Sequence, residues 1–199
     1  MFEQTQEQHV PVALTWTDDQ IRKAMERPEL RPGWYHFVVT GEAKNGVFAK
    51  GHLNQMFVAA PMDSFGEKKS PTIQHRLTLP FVNTEIEGHA APNTFGFCHE
   101  YLHAVDSVRF PRFPKKEGDV WTTEQGDILD YEQSQTAKEQ IVRAVYEEIN
   151  RRWQDPTVYE GESFFGLVEK SKDGKYLNIT KIHAELPLEA ELITSNFSA

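Results

Sequence analysis

The stretch that decides the fold is Gly161–Ile182, GESFFGLVEKSKDGKYLNITKI. It contains two runs of aromatic, aliphatic and β-branched residues, joined at Asp173-Gly174, a dipeptide typical of a tight turn between strands. The second run alternates Tyr176, Asn178 and Thr180 with Leu177 and Ile179. Such alternation places one face of a strand against a core and the other towards solvent. The stretch therefore predicts an antiparallel hairpin.

Three further strands are predicted earlier in the chain. Trp34 to Thr40 follows the break at Pro32-Gly33, is rich in aromatic and β-branched residues, and runs into the turn signal EAKNG. Its alternation puts Tyr35, Phe37 and Val39 on one face and Trp34, His36 and Val38 on the other. The segments HLNQMFVAAPM and TIQHRLTLPFVN predict two more strands. The latter alternates Ile73, His75, Leu77, Leu79 and Phe81 with Gln74, Arg76 and Thr78.

Helices are predicted at three places. Thr17 to Gln20 resembles a capping box and starts a short helix that Pro28 ends. Pro92-Asn93-Thr94 opens a second helix, whose apolar stripe is Cys98, Tyr101, Leu102 and Val105. Thr136 with Glu139 resembles another capping box and starts a longer helix, which ends at Asp155-Pro156. The long helix carries apolar residues at four-residue spacing: Ile141, Val145, Ile149 and Trp153.

The order of these elements is three strands, a helix, an irregular and helical insert, and a closing hairpin. Five strands with a helix after the third is the order of an OB barrel. The segments PGWYHFVV, the Lys-containing turn after it, the helix leading into FPRFPKK, and the closing hairpin resemble the phage-encoded single-stranded-DNA-binding proteins of OB fold. In that family a glycine and a tyrosine open strand 1, and a hairpin of the pattern G-K-x-x-N-x-I forms strands 4 and 5.

The resemblance covers most of residues 30–187, excluding the acidic insert. Together with the helices predicted above, it implies a mainly β protein with helical insertions: a five-stranded OB-type β-barrel with a helix after strand 3 and a long helix in an insert before strand 4. Residues 1–29 would be an N-terminal arm with a short helix, 30–187 the OB-fold domain with an acidic, helical insert at 118–157, and 188–199 a C-terminal tail.

Single strands are bound by aromatic rings that stack on bases and by Lys and Arg that contact phosphates. The resemblance places Tyr35 and its face in the core, so Trp34 and His36 would point outward, and strands 1 and 5 would flank the groove. Candidates on the strands and loops are Trp34, His36, Lys44, Lys50, Arg76, Lys172, Lys175, Tyr176 and Asn178, with Lys68 and Lys69 in a nearby loop. For each ring the alternative is core packing, and for each lysine a solvated loop.

A second candidate group lies in RFPRFPKK, where cations and rings alternate in a segment that its prolines keep out of helix and strand. Its members are Arg109, Phe110, Arg112, Phe113, Lys115 and Lys116. The cations would neutralise phosphates while a phenylalanine stacks on a base. The alternative is that the two phenylalanines attach the loop to the barrel.

The pentapeptide His99–His103, HEYLH, has the spacing of a zinc protease site. On a helix both histidines would share one face, Glu100 would be the general base, and Glu147 or Glu148 would be a third ligand. We favour the alternative that His99 and His103 lie on the solvent-exposed flank of a helix that caps the barrel. We therefore expect no metal, no cofactor and no catalysis.

The charge and composition limit the kinds of partner and the cellular location that we expect. The net charge is -9, but residues 118–165 hold eleven acidic and four basic residues, whereas 109–116 hold four basic and no acidic ones. A local basic face can attract a polyanion, because the repulsion from distant charge is screened beyond roughly 10 Å. The single cysteine, Cys98, excludes an intramolecular disulfide framework. Neither a membrane-length apolar run nor a signal-peptide pattern is present, so we expect a soluble protein of the cytoplasm, that of the host cell if the protein is viral.

Together these patterns predict non-sequence-specific binding of single-stranded DNA, which would protect exposed strands during phage replication or recombination. We expect no membrane partner, and we expect self-association or contact with other replication or recombination proteins through the acidic insert. Two alternatives remain open. One is a small zinc metalloprotease that uses HEYLH, and the other is a phage structural or adaptor protein that uses an OB barrel to bind protein.

Overall fold

The computed structural model describes residues 17, 29–47, 53–67, 70–80 and 94–194. Several predictions fall outside the described residues: the N-terminal helix, the helix start at Pro92, Lys50, Lys68, Lys69, Phe81 and the end of the C-terminal tail. Within the described ranges, no helix is both long enough and apolar enough to cross a membrane.

The described residues form a mainly β structure with two α-helices. In chain order the elements are β1 (Gly33–Val39), β2 (Lys44–Val47), β3 (Leu53–Pro61), β4 (Ile73–Thr78), α1 (Phe95–Val105), β5 (Lys115–Glu117), β6 (Val120–Thr122), β7 (Ile128–Leu129), α2 (Tyr131–Gln154), β8 (Ser163–Lys170) and β9 (Leu177–His183). Two short 3-10 helices cover Met62–Ser64 and Pro156–Tyr159.

The main sheet is antiparallel and curled. One edge of β3 pairs with β2 and then with β1, and its other edge pairs with β4. β1 pairs in turn with β8, and β8 with β9. The end strands β4 and β9 approach each other across a seam but do not pair in a ladder. β5, β6 and β7 form a separate three-stranded sheet in the insert.

The predicted core faces of the strands are confirmed. Tyr35, Phe37 and Val39 of β1 are buried, whereas Trp34 and His36 are only partly covered. On β4, the inward residues Ile73 and Leu77 are buried and the outward residues Gln74 and Arg76 are exposed. The alternation predicts the inward faces because these faces pack against the core. The outward assignment of Val38 is wrong, because only 4% of its surface is accessible.

α1 covers the core with Cys98, Tyr101 and Leu102, as the stripe predicts. The prediction that His99 and His103 lie on a solvent-exposed flank is wrong, because only 7% and 5% of their surfaces are accessible. A second layer of structure, the loop that precedes β5, covers this side of the helix.

α2 is longer than predicted and begins at Tyr131. Asp130 is its N-cap: its carboxylate accepts a hydrogen bond from Gln133 N at 2.8 Å, and the Gln133 side chain accepts one from Asp130 N at 3.0 Å. The predicted start at Thr136 is wrong, because the Thr136 hydroxyl donates to the Glu132 carbonyl inside the helix. The predicted apolar face and the end before Asp155 are confirmed.

A buried polar network docks α2 on the main sheet. Arg152, 3% exposed, donates to Glu148 at 2.8 Å and makes a bidentate pair with Glu162 at 2.5 and 2.8 Å. The Tyr101 hydroxyl donates to the same Glu162 carboxylate at 2.8 Å. Burying these charges is tolerable because each carboxylate oxygen has partners.

The described part of the C-terminal tail is docked on β1. Leu192 forms a parallel bridge with Trp34, and Ile193 N donates to the Trp34 carbonyl at 2.8 Å. The Ile193 side chain lies over Gly33, where an added Cβ would fall 2.2 Å from it, and the φ of +144° also favours glycine there. Leu192 and Ile193 therefore pair with the edge of β1 that does not face β8.

Candidate nucleic-acid interface

An open cleft of about 930 Å³ lies at one end of the seam between β4 and β9. We call it the main cleft. Its lining comes from β3 and β4 on one side and from the turn before β9 on the other: Glu29, Leu30, Met56, Pro71 to Arg76, and Lys175 to Asn178. Of the predicted site residues, Arg76, Lys175, Tyr176 and Asn178 line this cleft together.

Two cations flank Met56 on the outer face of the sheet. Lys44 pairs with Met56 across β2 and β3, and Met56 pairs with Arg76 across β3 and β4. Neighbouring strands are about 4.8 Å apart, so the backbones of Lys44 and Arg76 are separated by roughly 10 Å. Both side chains are exposed, and an Arg76 Nη2 atom lies 3.8 Å from the Met56 sulfur. This row forms a positively charged floor beside the main cleft.

The turn between β8 and β9 holds an aromatic ring at the rim of the main cleft. The Asp173 carboxylate accepts from the Ser171 hydroxyl at 2.5 Å, and Ser171 N donates to the Tyr176 carbonyl at 2.7 Å. Gly174 has a φ of +72°, a conformation that closes the turn and favours glycine. These hydrogen bonds and the Gly174 conformation fix the backbone position of Tyr176, which is 68% exposed.

A second cleft, of about 380 Å³, continues the seam towards α1 and shares His75 and Arg76 with the main cleft. Phe97 of α1 stands at its side with 64% of its surface exposed. Burial lowers the pKa of His75 to about 4, so its ring is neutral near pH 7. Phe97 is not among the residues predicted from the sequence. The signal that could have marked it is its position off the apolar stripe of α1, where a large aromatic residue faces solvent.

The RFPRFP loop is attached to the body of the protein by several of its predicted site residues. Phe110 is 1% exposed and lies in the core, so its selection as a base-stacking residue is wrong. Arg109 pairs with buried Glu148 at 2.9 Å. Phe113 packs on the His99 ring, with 4.8 Å between ring centroids. Phe110 and Phe113 therefore attach the loop to the body of the protein, as the alternative interpretation of RFPRFPKK expects.

The HEYLH residues hold this loop. The His99 Nε2 and His103 Nδ1 atoms hydrogen-bond to the carbonyls of Pro111 and Phe110, at 2.9 and 3.0 Å. A carbonyl only accepts, so both ring nitrogens donate. The other nitrogen of His103 then accepts from Arg112 Nε at 3.2 Å.

The carboxylates proposed with HEYLH do not complete a metal site. Glu148 binds three arginines and Glu147 is exposed on α2. Across the described ranges, no group of three or more His, Cys, Asp or Glu side chains is arranged to hold a metal ion. The short zinc-like spacing here positions a loop.

The remaining cations of the loop point away from the core. The Arg112 side chain is 48% exposed and lies 3.6 Å from Glu124, while Lys115 and Lys116 of β5 are exposed. Arg112 and Lys115 line a cavity of about 400 Å³ together with His183. We call this the basic cavity, and it shares Glu100 and Ile182 with the second cleft.

Trp34 and His36 lie elsewhere. Trp34 packs on His183 with 5.3 Å between ring centroids, and His36 stacks on Phe165 at 4.5 Å. Neither lines the clefts along the seam. The expectation that strands 1 and 5 flank the groove is wrong, because β8 lies between β1 and β9 and the seam is formed by β4 and β9. Lys172 is exposed in the turn before β9 but is not part of the cleft lining.

No protein-family model and no curated protein matches this chain. The geometry of the clefts is thus the basis for inferring a function.

Proposed function

We propose that this protein binds single-stranded DNA in the main cleft without sequence specificity, and protects exposed strands during phage replication or recombination. The observation that carries the proposal is the convergence of Arg76, Lys175 and exposed Tyr176 on one open cleft, with Lys44 on the neighbouring strand beside it. Cations that contact phosphates and a ring that stacks on bases are the two components of single-strand binding sites.

The strand order supports an OB-type barrel. If β1 and β2 are counted as one bent strand, the pairing order is β4, β3, β1, β8 and β9. In chain order α1 lies between β4 and β8, which are the third and fourth strands of the main sheet. OB folds bind oligonucleotides on the face of strands 2 and 3 and with the loops between strands 1 and 2 and between 4 and 5. The main cleft has the corresponding position, between β3 and β4 on one side and the turn before β9 on the other.

The charge distribution is compatible with a polyanion although the chain is acidic overall. Among the residues that line the main cleft, Glu29 is the acidic one, against Arg76 and Lys175. The acidic residues of 118–165 belong to the insert and to the short segment directly before β8. Charges more than a Debye length away, about 8 Å at physiological salt, are largely screened. The acidic insert therefore contributes little at the cleft, where Arg76 and Lys175 are balanced by Glu29 and by Asp173, which lies 4.0 Å from the Lys175 Nζ atom.

A titration of fluorescent oligo-dT at two salt concentrations tests the proposal. Tyr176→Ala should weaken binding by ~1 to 3 kcal/mol, and Tyr176→Phe should retain most of the affinity because its ring still stacks. Arg76→Ala should weaken binding to all sequences alike and reduce the salt slope by about 0.7. Arg143→Ala is the matched control, since Arg143 is exposed on α2 away from the clefts.

Two results would contradict the proposal. One is an affinity for oligo-dT that does not exceed the affinity for duplex DNA of the same length. The other is an equal loss of affinity in Arg76→Ala and Arg143→Ala, because that would show attraction by net charge alone. Oligo-U in a parallel titration reports the preference between DNA and RNA.

A further inference from the structure

The three clefts adjoin one another along the seam, in a row that we call the path. The main cleft and the second cleft share His75 and Arg76, and the second cleft and the basic cavity share Glu100 and Ile182. The path follows β9 from Tyr176, in the turn before it, to His183 at its end. Seven residues of strand span about 23 Å, which is much longer than the main cleft alone.

The far end of this path carries two exposed cations. Arg112 and Lys115 line the basic cavity with their exposed side chains, and His183 closes it from β9. The acidic groups near it are Glu100, at the junction with the second cleft, and Glu124, 3.6 Å from Arg112. Within the described part of the chain, no carboxylate forms an ion pair with Lys115.

The position of these cations is built into the fold. His99 and His103 donate to the successive loop carbonyls of Pro111 and Phe110, directly before Arg112. Arg109 fixes the start of the loop to Glu148. The loop is therefore held against α1 on the side that borders the seam, and its outward cations extend the line of Lys175 and Arg76.

We propose that a single nucleic-acid strand bound in the main cleft continues over Phe97 and past Glu100 into the basic cavity. Phe97 stacks on one base, and Arg112 and Lys115 contact phosphates beyond it. This extension rests on the proposed function of the main cleft. At about 3.4 Å per stacked nucleotide, the full path accommodates about seven nucleotides, whereas the main cleft along Lys175–Asn178 accommodates about three.

Oligonucleotide length separates the extension from the main site. The experiment compares oligo-dT of about 4 and about 16 nucleotides, the two ends of the site-size range of OB folds. Phe97→Ala should lower the affinity for the long oligonucleotide roughly tenfold and leave the affinity for the short one unchanged. Arg112→Ala combined with Lys115→Ala should reduce the salt slope by about 1.4 for the long oligonucleotide only.

Glu100→Gln provides a gain of affinity that no structural damage would imitate. Its carboxylate borders the path and repels phosphates, so its removal should strengthen binding of the long oligonucleotide by up to about fivefold. Arg76→Ala is the control for the main cleft and should weaken the binding of both oligonucleotides. Phe97 and Glu100 are exposed, so thermal unfolding of these variants should match the wild type.

The outcomes distinguish the two proposals. If neither length binds, the proposed function fails. Suppose that Arg76→Ala weakens the binding of both lengths, while Phe97→Ala and the double variant change the binding of neither. The proposed binding in the main cleft is then supported and the extension is overturned. Equal losses for both lengths in Phe97→Ala, or weaker binding in Glu100→Gln, also overturn the extension.

Discussion

The Nε2 atom of His99 lies 2.9 Å from the carbonyl oxygen of Pro111. One turn later on α1, His103 makes the equivalent bond to Phe110. Residues four apart on a helix share a face, so the spacing that suggests a zinc site instead presents two donors to two successive carbonyls of one loop. The motif converts a proline-rich segment without regular structure into an ordered wall of the basic cavity.

His99→Ala should therefore disturb the loop. The substitution removes the donor to Pro111 and the ring on which Phe113 packs, and we expect a loss of ~1 to 3 kcal/mol in the free energy of unfolding. Hydrogen exchange should accelerate in residues 109–114. Urea unfolding and exchange mass spectrometry measure the two effects, with Glu100→Gln as the exposed control in the same helix. Unchanged stability together with about one zinc per chain by elemental analysis would support the metalloprotease alternative instead.

The strand faces could be predicted from the sequence because their cause is local. Alternation in β1 and β4 places Phe37 and Leu77 inside, whatever the neighbouring strands are. The burial of His99 could not be predicted in this way, because α1 is covered on two sides. Its apolar stripe marks the side that packs on the sheet, whereas the other side is covered by a loop whose position depends on contacts distant in sequence.

The lining of the main cleft could be predicted in part for the same reason. Arg76, Lys175 and Tyr176 could be selected from the sequence because the alternation indicates which polar and aromatic residues of a strand or turn face outward. Trp34 was selected by the same rule, yet it faces a different surface because the pairing order places β8 between it and the seam. Pairing order is a long-range property that alternation does not contain.

Gly166→Ala should destabilise the main sheet. A Cβ at this position would lie 2.9 Å from Cδ2 of the Phe37 ring and 3.2 Å from a methyl group of Ile179, both closer than ordinary contacts. Overpacking of this kind costs ~1 to 3 kcal/mol, which urea unfolding would detect. Gly46→Ala is the matched control, because a Cβ on that strand glycine meets nothing within 4 Å. Phe37→Leu in the Gly166→Ala background should recover part of the loss, and no coupling between the two sites would argue against this packing.

Glu148→Gln should be among the most damaging single changes of charge. Glu148 is 1% exposed and binds Arg109, Arg151 and Arg152 at 2.9, 2.5 and 2.8 Å. Burial raises the pKa of this carboxyl, but the hydrogen bond from Arg151 and the charge of Arg152 outweigh it, so the net pKa is lowered and the group is ionised. Removing its charge leaves Arg152 buried with one partner fewer, which costs roughly 3 to 5 kcal/mol. Glu147→Gln, on the exposed neighbour, should change the free energy of unfolding by less than about 0.5 kcal/mol.

His75 should make the protein less stable as the pH falls below about 6.5, the ordinary pKa of histidine. Its half-buried ring lies 5.3 Å from the buried Phe57 ring, and burial lowers its pKa to about 4. The unfolded chain therefore takes up this proton at a higher pH than the folded chain does. The stabilising contribution is complete above about pH 6.5 and declines by up to about 1.4 kcal/mol per pH unit as the pH falls towards the folded pKa.

The test is the free energy of unfolding of wild type and His75→Gln, measured in urea between about pH 5 and pH 7. The pKa of Glu148 is lowered because the effect of burial is outweighed by the hydrogen bond from Arg151 and the charge of Arg152, so this carboxylate does not take up a proton in the same range. The pKa of His99 is also lowered by burial, so its contribution has the same sign and is present in both proteins. The wild type should lose about 2 kcal/mol more than His75→Gln over this range. If the free energy of unfolding changes equally with pH in both proteins, His75 accepts a proton as readily in the folded protein as in the unfolded chain. The burial of the ring would then not lower its pKa.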